Sequence, residues 1–225
     1  MRGDEKNIES RKDFFRRAAL SLIGAISGYS FYKLFKRKSR TKNYVIRPPG
    51  ASNNDEEFLS KCVRCAKCNI ACPYKVIISA DAGSIAAIGT PYLNLREGHC
   101  RLCGDFPCIK ACPTGALSGE KVKKPKDVTM GTAVITNREA CLALRGLRCE
   151  VCYRVCPFID EAIIIKETLN PFTKKHTIYE PIVHKEKCVG CGKCEEVCVV
   201  DEAVIEILPL MRGDLSKHYI EEYEI

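Results

Sequence analysis

The chain has 225 residues, with sixteen cysteines, four histidines and no tryptophan. Its formal charge of +8 is localised: residues 1–47 carry 13 Lys and Arg against 4 Asp and Glu, and the remainder is net −1. A body without a basic stripe or interleaved stacking aromatics excludes a nucleic-acid footprint, and the lack of a G-x-G-x-x-G or phosphate loop argues against a nucleotide site.

In chain order, residues 1–47 read as a signal or membrane anchor. Ser10-Arg11-Lys12-Asp13-Phe14-Phe15-Arg16 is similar to the twin-arginine export motif, with Lys12 at the second arginine and a further pair at Arg16-Arg17. The uncharged run from Ala18 to Tyr32 is shorter than the roughly 20 residues of a membrane span. It is therefore the hydrophobic region of a signal or signal anchor, and a plain anchor with the body left in the cytoplasm is the rival. No A-x-A cleavage site follows, so an uncleaved anchor stays open. Gly24 and Gly28 make a G-x-x-x-G that small-residue composition explains as well as helix packing does. Residues 48–60 are expected to be a linker, its Pro, Gly, Ser and Asn content concentrated in Arg47 to Asn54. Asp55 to Lys61 is a short helical turn leading into residues 61–225.

That region holds all sixteen cysteines in four runs of four: Cys62, Cys65, Cys68, Cys72; Cys100, Cys103, Cys108, Cys112; Cys141, Cys149, Cys152, Cys156; and Cys188, Cys191, Cys194, Cys198. The first is C-x2-C-x2-C-x3-C-P, the iron–sulfur run of bacterial ferredoxins, and the last has the same spacing with Val199 for proline. Disulfide frameworks have no reason to repeat one tight spacing, and structural zinc uses separated C-x2-C knuckles, often with histidine. The accounting gives four [4Fe–4S] clusters with all sixteen cysteines as iron ligands, leaving none as a nucleophile or redox dithiol. Each oxidised cluster with its thiolates adds about −2, so the loaded body is acidic. The proline after the fourth cysteine fixes φ and fits the opening of a short helix.

Four runs make two two-cluster units, in which a fourth cysteine serves the neighbouring cluster. The fold class expected is α+β: two ferredoxin-like bicluster units, tandem or nested, after the N-terminal segment. Shared compact spacing favours nesting, with runs two and three as an inner unit over about 98–160 and runs one and four as the outer one. Sequential pairing is the runner-up. Val76–Ile78 and Ile85–Ile88 are short apolar stretches followed by a loop at Gly89-Thr90-Pro91-Tyr92. Gly119 to Asp127 is a solvated connection, and Met130 to Thr136 is a strand. Ala162–Lys166 and His176–Tyr179 flank the turn Asn170-Pro171 as a hairpin, and Val204–Leu208 is a closing strand. His99, which abuts Cys100, reads as a surface residue beside a ligand loop in preference to a hydrogen-bonding or proton-gating group near a cluster, and Lys67 and Lys193 read as solvated charges or partner contacts.

The chain resembles the MauM/NapG family of ferredoxin-type proteins from about residue 60 onwards. The likeness rests on Gly89-Thr90-Pro91-Tyr92, on the stretch from Gly146 to Pro157, on Cys188 to Val199, and on the tail with Ile207-Leu208-Pro209-Leu210 and His218-Tyr219. The resemblance implies a non-catalytic electron-transfer subunit on the periplasmic face of the inner membrane. It would be exported folded, attached through its N-terminal segment, and loaded at the sixteen cysteines. It would take electrons from a membrane-bound NapH-type quinol-oxidising subunit and pass them towards periplasmic nitrate reductase or its cytochrome. An electron-transfer subunit of another molybdenum oxidoreductase and a reductase maturation factor are the alternatives. Because each small unit is too short to be stable on apolar burial alone, the clusters act as cross-links. Stripping the iron anaerobically with a chelator is expected to abolish the cooperative thermal transition seen by circular dichroism, and a persisting transition would refute this.

Overall fold

The computed structural model describes residues 20–21, 44–120, 122–170 and 174–209. The chain divides into two units, Met1–Lys42 and Asn43–Ile225, and the fold set out here is that of the second. The export-like motif, the apolar run and its Gly24 and Gly28, the turn residue Pro171 and the tail from Leu210 lie outside the described residues. Among the described residues no helix is long and apolar enough to cross a membrane.

The expected helical turn is α1, Asp55–Lys61. The Asn54 side chain accepts from the Glu56 N–H, satisfying a donor that the helix cannot, and Asp55, Glu56 and Glu57 favour the positive end of the dipole. Lys61 pairs with Glu57 one turn back at 2.8 Å. Phe58, at 1% exposure, anchors the helix in the core.

Four one-turn helices follow, one in each cysteine run: α2 Lys67–Ala71, α3 Pro107–Lys110, α4 Val151–Arg154 and α5 Lys193–Glu196. Six short strands, β1 Ile77–Ser79, β2 Pro91–Leu93, β3 Thr132–Ile135, β4 Ile163–Leu169, β5 Thr177–Val183 and β6 Ile205–Leu208, form three antiparallel ribbons, β1–β2, β3–β6 and β4–β5. Mixed helix and strand content of this kind agrees with the α+β expectation. The β4–β5 hairpin runs from Ile163 opposite Val183 to Leu169 opposite Thr177. Pro181 sits in a two-stranded ribbon, where its missing N–H has a free edge to face.

The helices pack α2 on α3 and α4 on α5. Runs one and two therefore form one half, and runs three and four the other. This overturns the nested arrangement with an inner unit over 98–160. The spacing inside a run reports only how its own loop winds; partner choice is made by the β1–β2 and β4–β5 ribbons, which fold each half back on itself. The ribbon β3–β6 then ties the start of the second half to its end, with Ile135 opposite Ile205.

Two further expectations are corrected. The loop expected at Gly89-Thr90-Pro91-Tyr92 is in part a strand: Pro91 and Tyr92 belong to β2, the partner of β1, while Ile85 and Ile88 of the apolar stretch before it are exposed. A proline as first strand residue lacks only a donor that an edge does not need. The presumed linker is also part of the body. Pro48 and Pro49 are fully buried, Ile46 bridges to Leu93, and Ala51 bridges to Leu117. Arg47 holds this segment down: Nε donates to Asp55 Oδ1 at 2.7 Å, and Nη1 donates to Thr90 Oγ1 and to the Pro91 carbonyl, both at 2.9 Å. Its guanidinium carbon lies 4.7 Å from the Phe58 ring centroid. Turn-type composition marks where a chain bends, not whether the bend is solvated. Arg47→Ala is expected to cost roughly 2–3 kcal/mol, the worth of hydrogen bonds to a buried charged group. It should lower the thermal midpoint of the holoprotein, and a midpoint within a degree of wild type would contradict the assigned role.

Candidate metal centres

Within each run the short helix lies between the third cysteine, or just before it, and the fourth. It carries the fourth cysteine away from its own loop. In the first run Cys72 is the C-cap of α2, and Pro73 comes next. The prolines after the fourth cysteines thus close helices rather than open them, correcting the sequence reading; a ring that removes an N–H is tolerated beyond a helix end. Val199 holds the same place after α5, so any residue that leaves the helix serves there.

The loops ahead of these helices contain left-handed residues. Arg64 and Ala66 have φ of 55° and 54°, Leu102 and Phe106 have 52° and 44°, and Gly190 and Gly192 have 71° and 83°. Alternating left-handed residues curl the backbone into an anion-binding concavity. Among the described residues, the Leu117 N–H reaches Cys112 Sγ and the Ala133 N–H reaches Cys188 Sγ, each at 3.4 Å.

The sixteen cysteines line four sites, each a quartet with three members from one run and one from its partner, and among the described residues no three of them stand close enough to hold a single metal ion. Cys62, Cys65, Cys68 and Cys112 line one pocket. Cys72, Cys100, Cys103 and Cys108 line a second. Cys156, Cys188, Cys191 and Cys194 line the pocket of the fourth run, which Cys152 also borders. Cys141, Cys149 and Cys198 pack together around Ala143 and Val204, and the Cys152 thiol feels all three.

Electrostatics shows what the quartets fit. Burial pushes the Cys100 and Cys152 thiols up to about 12 and the Cys108 and Cys191 thiols up to about 11, and neighbouring thiols add to each rise. Cys194 is raised well above its ordinary value by burial and then by Cys191, Cys188 and Cys152. Cys112 is the exception: burial raises it, but the N–H groups of Leu117 and Thr114 outweigh that and lower it. Sulfurs crowded this closely repel one another as thiolates, and only a cationic centre between them makes the ionised form favourable. Backbone N–H groups directed at sulfur are what an anionic cluster needs. The donor set, the pockets and the polarity agree with cubane clusters.

Two family comparisons match the chain: the 4Fe-4S dicluster domain over residues 61–116 and the 4Fe-4S binding domain over residues 181–198. The dicluster match spans runs one and two together, in keeping with the packing of α2 on α3. The chain is 44% identical over 211 residues to the ferredoxin-type protein NapG of Escherichia coli K12, covering 92% of this chain and 88% of the relative. It is 40% identical over 192 residues to the methylamine utilization ferredoxin-type protein MauM of Methylorubrum extorquens, covering 85% and 84%. The chain belongs to the NapG and MauM family of ferredoxin-type proteins. It is an iron–sulfur electron carrier rather than an enzyme, and 4Fe–4S clusters are its cofactor. A more distant relative, the ferredoxin-type protein NapF of Escherichia coli K12, is 32% identical over 163 residues, 72% of this chain and 85% of that protein. No solved structure matches.

Sequence reasoning misplaced His99 and passed over Arg96 and Glu195. His99 is 5% exposed, with Nδ1 against the Glu196 carboxylate, so it is not a surface residue. Glu195 is fully buried, and its Oε2 accepts from the Ile207 N–H at 2.8 Å. Lys67 is exposed as expected, whereas Lys193 is half-buried and lies near the Cys156 thiol. Gly190 and Gly192 were the legible signal for the loop geometry; at Arg64, Ala66, Leu102 and Phe106 the same conformation leaves no mark in residue type. A Cβ on Gly190 would meet the Gly131 nitrogen at 2.5 Å. Gly190→Ala is therefore expected to cost roughly 1–3 kcal/mol or more through backbone strain and to lower iron content and thermal midpoint together. Ala66→Gly, already left-handed, should shift the midpoint by less than about 1 kcal/mol equivalent; equal losses in the two variants would contradict the account.

Proposed function

We propose that the protein carries four [4Fe–4S] clusters and relays single electrons from a membrane quinol-oxidising subunit of the NapH type towards periplasmic nitrate reductase. The observation that carries this is the set of four quartets, three cysteines from one run and the fourth from its neighbour. The ligand sets are Cys62, Cys65, Cys68 with Cys112; Cys100, Cys103, Cys108 with Cys72; Cys141, Cys149, Cys152 with Cys198; and Cys188, Cys191, Cys194 with Cys156. Each cluster supplies a one-electron couple when bound. The chain itself holds the couples at fixed separation, excludes water from Cys100, Cys108 and Cys191, and directs N–H groups to Cys112 and Cys188. N–H···S contacts and burial are the levers that set potential.

The choice of nitrate respiration is supported by the likeness to NapG over 92% of this chain. A periplasmic location on the inner membrane, reached by folded export through residues 1–47, fits a protein whose metal must be inserted before it crosses. Membrane attachment through that segment completes the reading.

The test combines chemistry and physiology. Anaerobically purified protein should hold close to sixteen irons per chain, and cell fractionation should recover it on the periplasmic face of the membrane. A folded Cys65→Ser variant should lower quinol-dependent nitrate reduction in cells at least tenfold. An unchanged rate would point to the maturation-factor alternative; two zinc ions or cytoplasmic recovery would overturn the cluster or the location.

A further inference from the structure

The two halves meet where the approach to the second cysteine run lies along the fourth. The Cys100 N–H donates to the Cys191 carbonyl at 2.9 Å, joining a cysteine of one quartet to a cysteine of another through a single hydrogen bond. Both residues are buried, and the Cys191 thiol is among the neighbours that Cys100 feels. Leu95 fills the space over Gly192, where a Cβ would meet its Cδ2 at 2.6 Å. Arg96 reaches five carbonyls at the end of α5 and just beyond it: Glu195 at 2.8 Å, Glu196 at 3.2 Å and Cys198 at 2.9 Å from Nη1, and Val200 at 2.8 Å and Asp201 at 3.2 Å from Nη2. A cation there satisfies the orphan carbonyls of the helix end. His99 adds its contact to Glu196.

The remaining two quartets make no such cysteine-to-cysteine hydrogen bond between the halves among the described residues, although Arg96 also reaches the carbonyl of Cys198. Cys141, with Cys149 and Cys198 packed against it, belongs to a small satellite core around Ala143 and Val204. Cys65, in the first quartet, is exposed, and its neighbours Val63 and Ile70 are 60% and 82% exposed.

We propose that electrons cross between the two halves at the Cys100–Cys191 contact, so that the relay runs through the quartets in the order first, second, fourth, third, with Arg96 as the positioning residue of the crossing. This rests on the four-cluster reading above. In the crossing, one reduced cluster loses an electron and its neighbour gains it; no bond breaks and no proton moves. Electron tunnelling falls off steeply with separation, so the covalent and hydrogen-bonded route through Cys100 and Cys191 decides which clusters exchange. The connection from run two to run three along the chain is long, and sequence order is no guide to it.

Spin coupling in the dithionite-reduced protein tests the order. A Cys65→Ser, Cys149→Ser variant retains the second and fourth clusters and should give a split, broadened EPR spectrum of two interacting spins. A Cys103→Ser, Cys191→Ser variant retains the first and third and should give the plain sum of two independent signals. An additive spectrum from the first variant, or a split one from the second, overturns the order. Arg96→Ala in the otherwise intact protein should lose the coupling between halves while keeping its iron and the coupling within each half. Arg96→Lys, which cannot span five carbonyls, should lose part of it. If the cysteine variants do not fold, the Arg96 pair decides, and an unchanged spectrum in Arg96→Ala overturns the proposal. Wild-type protein with far fewer than sixteen irons would instead overturn the four-cluster reading.

Discussion

In every run the fourth cysteine leaves its own loop on a one-turn helix and stands with the three cysteines of the neighbouring run. That displacement is the constraint on which the fold depends. A loop of a dozen residues cannot bury enough surface to hold itself together, and four of them in isolation would be unfolded peptide. By sending one ligand across, each loop becomes the fourth side of its neighbour's site, so neither can form without the other. The packing of α2 on α3 and of α4 on α5 is the structural record of this exchange. The three two-stranded ribbons return the chain so that the exchange closes.

The same exchange concentrates electrostatic cost. The buried thiols of Cys100, Cys108, Cys152 and Cys191 are pushed up to about 11 or 12, so binding metal there means displacing protons, and loading is linked to folding. Much of the remaining polar detail sits where this cost is greatest. Left-handed residues shape the loops, N–H groups meet Cys112 and Cys188, and the five carbonyls at the end of α5 are gathered by Arg96. Glu195, a buried carboxylate beside Cys194, spends its oxygen on the Ile207 N–H and so ties α5 to β6. A relay needs its couples rigidly spaced, and these contacts supply stiffness that the small apolar core does not.

Much of the local structure was legible. The helical turn expected over Asp55 to Lys61 is α1, and the short apolar stretches announced β1, β3, β6 and the β4–β5 hairpin. What failed failed for one kind of reason. Arg47-Pro48-Pro49-Gly50 has loop composition but is buried, because Arg47 finds partners at Asp55, Thr90 and Pro91 that no local window contains. Pro91 disguised β2 as a loop because its strand-compatible place depends on being at an edge. His99 looked exposed because its neighbours in sequence are polar, while its neighbours in space are the fourth cysteine run.

Cluster chemistry was determined by the sequence by itself, because ligand type and the spacing within a loop are local quantities: sixteen cysteines in four ferredoxin-like runs leave little else to bind. The partner of each fourth cysteine, and the contact between the second and fourth runs, were decided only by the tertiary structure. Compact spacing in runs one and four suggested that they belonged together, but spacing measures how a loop wraps a site and carries no information on what packs beside it. Pairing is set by long-range strand registers and by single residues such as Arg96, whose five acceptors lie about a hundred positions away.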